Sequence, residues 1–271
     1  FSLATKPWSL WIDGDDVVRG AENLSKICSE LDEKFPTGPV MVMLPYEYSR
    51  DHLGNVTCVH VRERLVRGAK AFSWYGPVHE VLMPKGEHVY VPNEDRIVIE
   101  HRRDGKPGDA GRNLRILEKW LAKHGVEKDT RMLYYAALEY ANAGRIDKSI
   151  EYHMLYVARS GWDDEKCLSL LELSRHHLGL GNNEDARIWA LRAADTCENW
   201  REPLFALGRA HYAKAKITNL ARDWQRAAHY FRKGLQMPAT RTPLFINPME
   251  ARFDVHLHQI VALSHVGLIE E

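Results

Sequence analysis

The sequence predicts a mixed α/β region followed by an all-α region, on three observations. Short runs of apolar or alternating residues, bounded by Gly and Pro, recur until about residue 100, the pattern of strands with an intervening helix. A breaker-rich stretch, Gly105-Lys106-Pro107-Gly108-Asp109-Ala110-Gly111, then interrupts the chain. From Arg112 onward strand signals vanish and helical spacing runs to the C-terminus. The expected domains are therefore residues 1–111 and 112–271.

The elements follow in order. Phe1 to Ala4 reads as the end of a helix leading into Trp8-Ser9-Leu10-Trp11-Ile12, an apolar, aromatic run expected to be a buried strand. It ends in Asp13-Gly14-Asp15-Asp16, where Gly14 permits a tight turn. Ala21 to Leu31 has helical spacing, and Val40 to Leu44, between Gly38-Pro39 and Pro45, reads as a buried strand. Thr57 to Val66 alternates, with Thr57, Val59 and Val61 on one face and Arg62 and Arg64 on the other. With the turn signal Gly54-Asn55, residues 40–66 make a hairpin or meander. Val89-Tyr90-Val91 and Ile97-Val98-Ile99 are further short strands.

The helical half repeats itself. Gly144 to Tyr152, Gly181 to Trp189 and Arg222 to Tyr230 are three similar segments, each with a small residue at one place: Ser149, Ala186, Ala227. Upstream of each lies another helical segment: Leu133 to Tyr140, Leu170 to Leu178, Leu204 to Tyr212. Small residues let paired helices approach while large ones fill the groove between pairs. A period in the mid-thirties with this layout is that of the tetratricopeptide repeat. The third copy carries about seven extra residues around Lys214 to Leu220, close to two helical turns, so lengthened helices preserve its packing face. Asn113 to Leu121 reads as a preceding half-repeat. Leu263 to Glu271 ends inside a helical pattern.

Composition narrows the function classes. Lys+Arg and Asp+Glu are both 37, which argues against a global electrostatic grip on nucleic acid or anionic membrane. No apolar run reaches the roughly 20 residues of a membrane span, and no signal peptide is visible. Cys28, Cys58, Cys167 and Cys197 form no CxxC pair and read as reduced thiols of a cytoplasmic protein. No Cys/His set has zinc-finger spacing and no GxGxxG or Walker sequence is present, so nicotinamide and P-loop chemistry lack support.

Hard divalent cations take carboxylate oxygens and keep substrate phosphates in their shell. An Asp13-x-Asp15 pair at a strand end can thus hold a metal and, through it, a diphosphate; the structural alternative is a solvated acidic turn, or a helix N-cap at Asp16 before Val17-Val18. In Trp74-Tyr75-Gly76-Pro77-Val78-His79-Glu80, Glu80 is the candidate base that takes an acceptor's proton, against a structural loop carboxylate. His101 could complete a metal site with Asp15, against a surface histidine in the run His101-Arg102-Arg103-Asp104. Arg62 and Arg64 could grip a diphosphate bidentately, against a solvated strand face, with Arg67 and Lys70 extending the basic surface.

Together these features resemble the family-two glycosyltransferases of GT-A fold that carry a C-terminal tetratricopeptide array, common in bacteria and their phages. The matching residues are Trp11 to Asp16, Arg62-Glu63-Arg64-Leu65, Gly76 to Glu80, His101 and Arg112 to Glu118, followed by the repeats. The resemblance implies the C-terminal portion of a Rossmann-like GT-A domain. It implies metal-dependent transfer of a hexose from a nucleoside-diphosphate sugar, a UDP-sugar foremost, with inversion. Asp13 and Asp15 would match the metal and nucleotide motif, with Mn²⁺ or Mg²⁺, Glu80 the base region and His101 the late histidine. A similar layout in peptide S-glycosyltransferases makes a protein or peptide acceptor and a homodimer through the helical domain expectations too. Family members carry a nucleotide-binding βαβ region before Asp-x-Asp, so the base pocket and most ribose contacts are expected on sequence preceding Phe1. The competing expectation is a non-catalytic interaction scaffold, in which a degenerate transferase half supports the repeats. A nucleic-acid-modifying transferase is a third, disfavoured by the neutral charge.

Overall fold

The computed structural model describes residues 3–102, 109, 111–126 and 129–267. The chain divides into two compact units, residues 1–108 with 243–248 and residues 109–242 with 249–271. The first is built on a sheet and the second on helices. The breaker-rich junction expected at 105–111 lies mostly outside the described residues.

The sheet unit contains β1 (Trp8–Leu10), β2 (Asp16–Arg19), α1 (Leu24–Lys34), β3 (Val40–Arg50), β4 (Val56–Arg67), β5 (Phe72–Tyr75), β6 (Val81–Pro84), β7 (Val89–Val91) and β8 (Val98–His101). β3 is the spine. β4 pairs antiparallel along one edge, and β7 and β8 pair parallel with successive parts of the other. β1 lies antiparallel outside β4, β2 antiparallel outside β8, and β5 and β6 form a separate hairpin. Both faces of the spine are covered, because strand side chains alternate. Val40, Val42, Leu44 and Tyr46 join Ile27 and Leu31 of α1, with Leu65, Ile97 and Ile99, in one core. Met41 and Met43 join Val66, Phe72 and Leu82 in the other.

Several expectations are corrected here. β3 runs through Pro45, because the proline sits between the stretches paired with β7 (residues 40–42) and β8 (residues 46–47), where the missing N–H costs little. The first strand is shorter and only half-buried: β1 stops at Leu10 and Ile12 is 47% exposed. The cause is topological, since β1 and β2 lie at opposite edges and residues 11–15 must cross between them. Val17 and Val18 belong to β2, so Asp16 caps no helix. Leu3 lies in a turn and Ala4 in irregular chain rather than a helix end, and Phe1 and Ser2 lie outside the described residues. Residues 243–248, expected in the helical region, close the sheet unit. Val59 N–H donates to Ile246 O (3.4 Å), Ile246 N–H to Val59 O (3.3 Å) and Val61 N–H to Pro243 O (3.3 Å), prolonging the β4 edge that β1 covers only in part.

The helical unit contains α2 (Arg112–His124), α3 (Thr130–Asn142), α4 (Ile146–Arg159), α5 (Asp163–Gly179), α6 (Asn183–Thr196), α7 (Glu202–Thr218), α8 (Ala221–Gln236) and α9 (Val255–Ser264), the last preceded by a π-type turn. From α2 to α9 each helix packs on the next. Ser149, Ala186 and Ala227 are wholly buried, as close approach of paired helices requires. A left-handed residue turns the chain inside each pair: Gly144, Gly181 and Asn219. The extra residues of the third copy extend the facing ends of its helices: α7 runs past Tyr212 to Thr218, and α8 starts a turn further ahead of Ala227 than α4 and α6 start ahead of Ser149 and Ala186. α7 and α8 interlock through aromatic rings on glycines. A Cβ on Gly208 would meet Phe231 at 2.4 Å, and one on Gly234 would meet Phe205 at 2.6 Å. Residues 268–271, in the expected terminal helix, lie outside the described residues.

Candidate metal centre

β2 and β8 pair in a register that sets Asp16 directly opposite His101. This adjacency brings together residues from the two ends of the sheet unit's sequence. His101 Nδ1 lies 3.2 Å from Asp16 Oδ1 and 3.6 Å from Asp15 Oδ1. Asp15, Asp16 and His101 form one of two groups among the described residues whose ligand atoms converge closely enough to hold an ion.

Asp16 anchors the group. Its carboxylate is wholly buried and has four neighbours. Oδ1 accepts from the Tyr46 hydroxyl (3.1 Å) and faces His101, while Oδ2 accepts from the Asp13 backbone N–H (3.0 Å) and lies 3.3 Å from Arg64 Nη2. Burial and then the Asp16 charge push the Tyr46 hydroxyl well above its ordinary range, so it remains a donor. Asp15 is by contrast 40% exposed, leaving its carboxylate open to solvent or substrate.

Arg64 lies beneath the Asp13–Asp16 turn, and its placement follows from a bulge. Val42 pairs with Leu65 but Met43 pairs with Glu63, so Arg64 is the additional residue on β4. Bulges re-aim side chains in this way. The Arg64 guanidinium is buried with its centre 3.8 Å from the Trp11 ring and 4.4 Å from the Tyr46 ring. Nη2 donates to Asp13 (3.2 Å), while Nε and Nη1 have no hydrogen-bond partner among the described residues, so aromatic faces and carboxylates carry the charge between them. The expected solvated face shared by Arg62 and Arg64 is therefore not present. Arg62 turns elsewhere, donating to the Glu80 backbone carbonyl (2.7 Å) and lying over Trp11. Arg67, expected on the same basic surface, instead bonds Asp32 and the carbonyls of Phe35, Thr37 and Gly38, closing the loop after α1.

The other predicted residues separate. Asp13 sits on Arg64 and is not among the converging ligands. Glu80 is exposed on the loop between β5 and β6, after His79 in the left-handed region (φ 50°). Its main chain is pinned by Arg62, and Trp74 of β5 packs edge-on against Trp11 at 4.8 Å. Beside the metal group lies an aromatic shelf that the sequence did not suggest. Tyr48 stacks on His101 (5.3 Å, 3°), and Phe245 contacts both Tyr48 and His60. Burial, helped by Arg62 and Arg64, pushes His60 down to about 3, so it is neutral.

The donor set fits a divalent cation. Ligands about 2.1 Å from an octahedral ion lie about 3 Å apart along an edge, close to the separations around His101 Nδ1. Two carboxylates and one imidazole suit a transition-metal dication such as Mn²⁺ better than Mg²⁺, which prefers oxygen alone, and exposed Asp15 leaves room for further oxygen ligands. The second converging group, His153, Glu172 and His176, belongs to the helical unit, where Glu172 is engaged by Arg175 and His176 by Ser149. Among the described residues no helix is long and apolar enough to cross a membrane, and the four cysteines are free. No protein-family model and no curated protein matches the chain.

Proposed function

We propose that the sheet unit belongs to a GT-A-type catalytic domain, joined to a tetratricopeptide-like array, and that it transfers a hexose from a nucleoside-diphosphate sugar to an acceptor with inversion. The observation carrying this is the convergence of Asp15, Asp16 and His101 from opposite ends of the sheet unit's sequence. Those three residues would hold Mn²⁺ or Mg²⁺, which when bound neutralises charge on the donor diphosphate. Asp16, locked by its neighbours, orients Asp15 and His101. Arg64 fixes the turn from below, and Asp13 supports Arg64. Glu80, on a loop pinned by Arg62, takes the acceptor's proton as the acceptor attacks the anomeric carbon, and the electrons of the breaking sugar–oxygen bond leave with the diphosphate. A UDP-sugar donor, a protein or peptide acceptor and a homodimer through the helical array belong to the same proposal and rest on the family resemblance.

Mn²⁺ uptake, followed as loss of the free-ion paramagnetic resonance signal, tests this. The intact chain is expected to bind Mn²⁺, UDP is expected to tighten that binding, and Asp15→Asn and His101→Gln are expected to abolish it. An intact chain that takes up no Mn²⁺, or variants that bind as it does, would overturn the proposal.

One observation favours a second reading. Asp16 is already satisfied and Asp13 is already paired, so the cluster is also complete as an ion-pair lock without a cation. The sheet unit would then be a non-catalytic platform for the array. Absence of Mn²⁺ uptake by a chain whose fold is intact is the outcome expected of the platform.

A further inference from the structure

We infer that the helical unit carries an oxyanion site for a phosphomonoester group. A cavity of about 520 Å³ is lined by residues of α6, α7 and α8, among them Arg187, His211, Lys214, Arg226 and Tyr230. Among the described residues Glu184 is the only acid in its wall, and it is engaged by Arg187. Lys214 and Arg226 make no hydrogen bond or ion pair among the described residues. Among the described residues the wall therefore sets Arg187, Lys214 and Arg226 against Glu184, a net excess of two positive charges.

Two titratable groups in the wall register the resulting field. Glu184 is held below the usual carboxylate range, chiefly by its bond from Arg187, with Lys214 and His211 adding to the effect. His211 is pushed down by burial first, then by Arg226 and Arg187, with Asp223 opposing and Lys214 reinforcing. His211 is also buried, its ring stacks on Tyr230 (5.4 Å, 6°), and its Nδ1 has no hydrogen-bond partner among the described residues.

The ligand class follows from charge and size. A phosphomonoester carries about 1.5 to 2 negative charges near neutral pH, matching two free cations, whereas one carboxylate leaves a cation uncompensated. Arginine offers a fork to such a group and lysine a mobile point charge. The cavity is far larger than a bare phosphate ion, so the carbon part of the ester has room beside Tyr230. The phosphate could belong to a small molecule or to a phosphorylated side chain.

An NMR titration of the full chain at low ionic strength, following the His211 and His229 imidazole signals, tests the site. Phenyl phosphate is expected to shift both signals, and benzoate is expected to bind at least about tenfold more weakly, the weight of one charged contact. Lys214→Gln/Arg226→Gln should weaken phenyl phosphate at least about tenfold. Arg232→Gln/Lys233→Gln removes the same charge from exposed positions on α8 outside the cavity and should change affinity less than about twofold. Equal losses in the two double variants, benzoate binding as well as phenyl phosphate, or unmoved histidine signals would each overturn the assignment. Tighter binding of UMP than of a phosphoserine peptide identifies a small-molecule source, and the reverse identifies a modified side chain.

Discussion

In the sheet unit, buried charge is gathered at one point, where Arg64 and Asp16 meet under a turn contributed from far away in sequence. In the helical unit, buried polarity is dispersed in small local pairs: Ser149 with His176, His153 with Ser169, Tyr156 with Glu165, Ser174 with the Ala186 carbonyl. The difference teaches where each unit is vulnerable. A knot tied by long-range contacts fails as a whole when one strand is cut, whereas an array of neighbour contacts yields locally.

The sharpest way to break that comparison is Arg64→Met. It leaves the buried Asp16 carboxylate without its cation and should destabilise the sheet unit by about 3–5 kcal/mol, read by urea unfolding with hydrogen exchange to assign the loss to β3 and β4. A loss spread equally over the helices would contradict the contrast. Next in size is Gly208→Ala. Alanine favours helix by about 1 kcal/mol, but its methyl would meet the Phe231 ring, and overpacking costs about 1–3 kcal/mol. Destabilisation confined to α7 and α8 is expected. Gly179→Ala, where a Cβ meets nothing, should be neutral or stabilising in the same assay.

Acid acts against both units, with opposing contributions only in the helical one. His60 and His153, one per unit, are both pushed down to about 3 by burial. Their folded values lie below the ordinary value of about 6.5, so the stability they contribute is present above it and is lost as pH falls toward 3. In the sheet unit Glu94 is also lowered, by its bond from Arg96, and adds to the acid loss. In the helical unit burial raises Glu165 and Glu250, whose contribution is lost as pH rises through their raised values and so recovers on acidification. Exchange protection in β3 and β4 should therefore fall as pH drops from about 6.5 toward 3; protection unchanged over that window would contradict this. The smallest effect is expected from Asp15→Asn. That side chain is partly exposed, so unfolding free energy should change by less than about 0.5 kcal/mol, while any Mn²⁺-dependent rise in melting temperature disappears.

The helical array was legible because its contacts are local. Ser149, Ala186 and Ala227 show in the spacing because a helix face is written every three or four residues. The hairpin of β3 and β4 was legible from alternation and a Gly-Asn turn. The converging group Asp15, Asp16 and His101 was half legible. Asp15 and His101 stood out by type and position, but Asp16 was not named as a ligand and a helix cap stood as its structural alternative, because two following valines do not distinguish strand from helix. The bulge that buries Arg64 depends on pairing with a partner strand, so alternation within β4 alone misplaced it. Nothing near Phe245 in sequence signals that it will lie beside His60 and Tyr48.

The segment 243–248 has a consequence for how the molecule is made. It supplies the last cover for the β4 edge, yet follows α8 in the chain. During synthesis the sheet unit waits with that backbone edge bare until the array through α8 has left the ribosome. A bare edge is a template for pairing with another chain, so slow translation through α3 to α8 should favour aggregation that faster passage avoids.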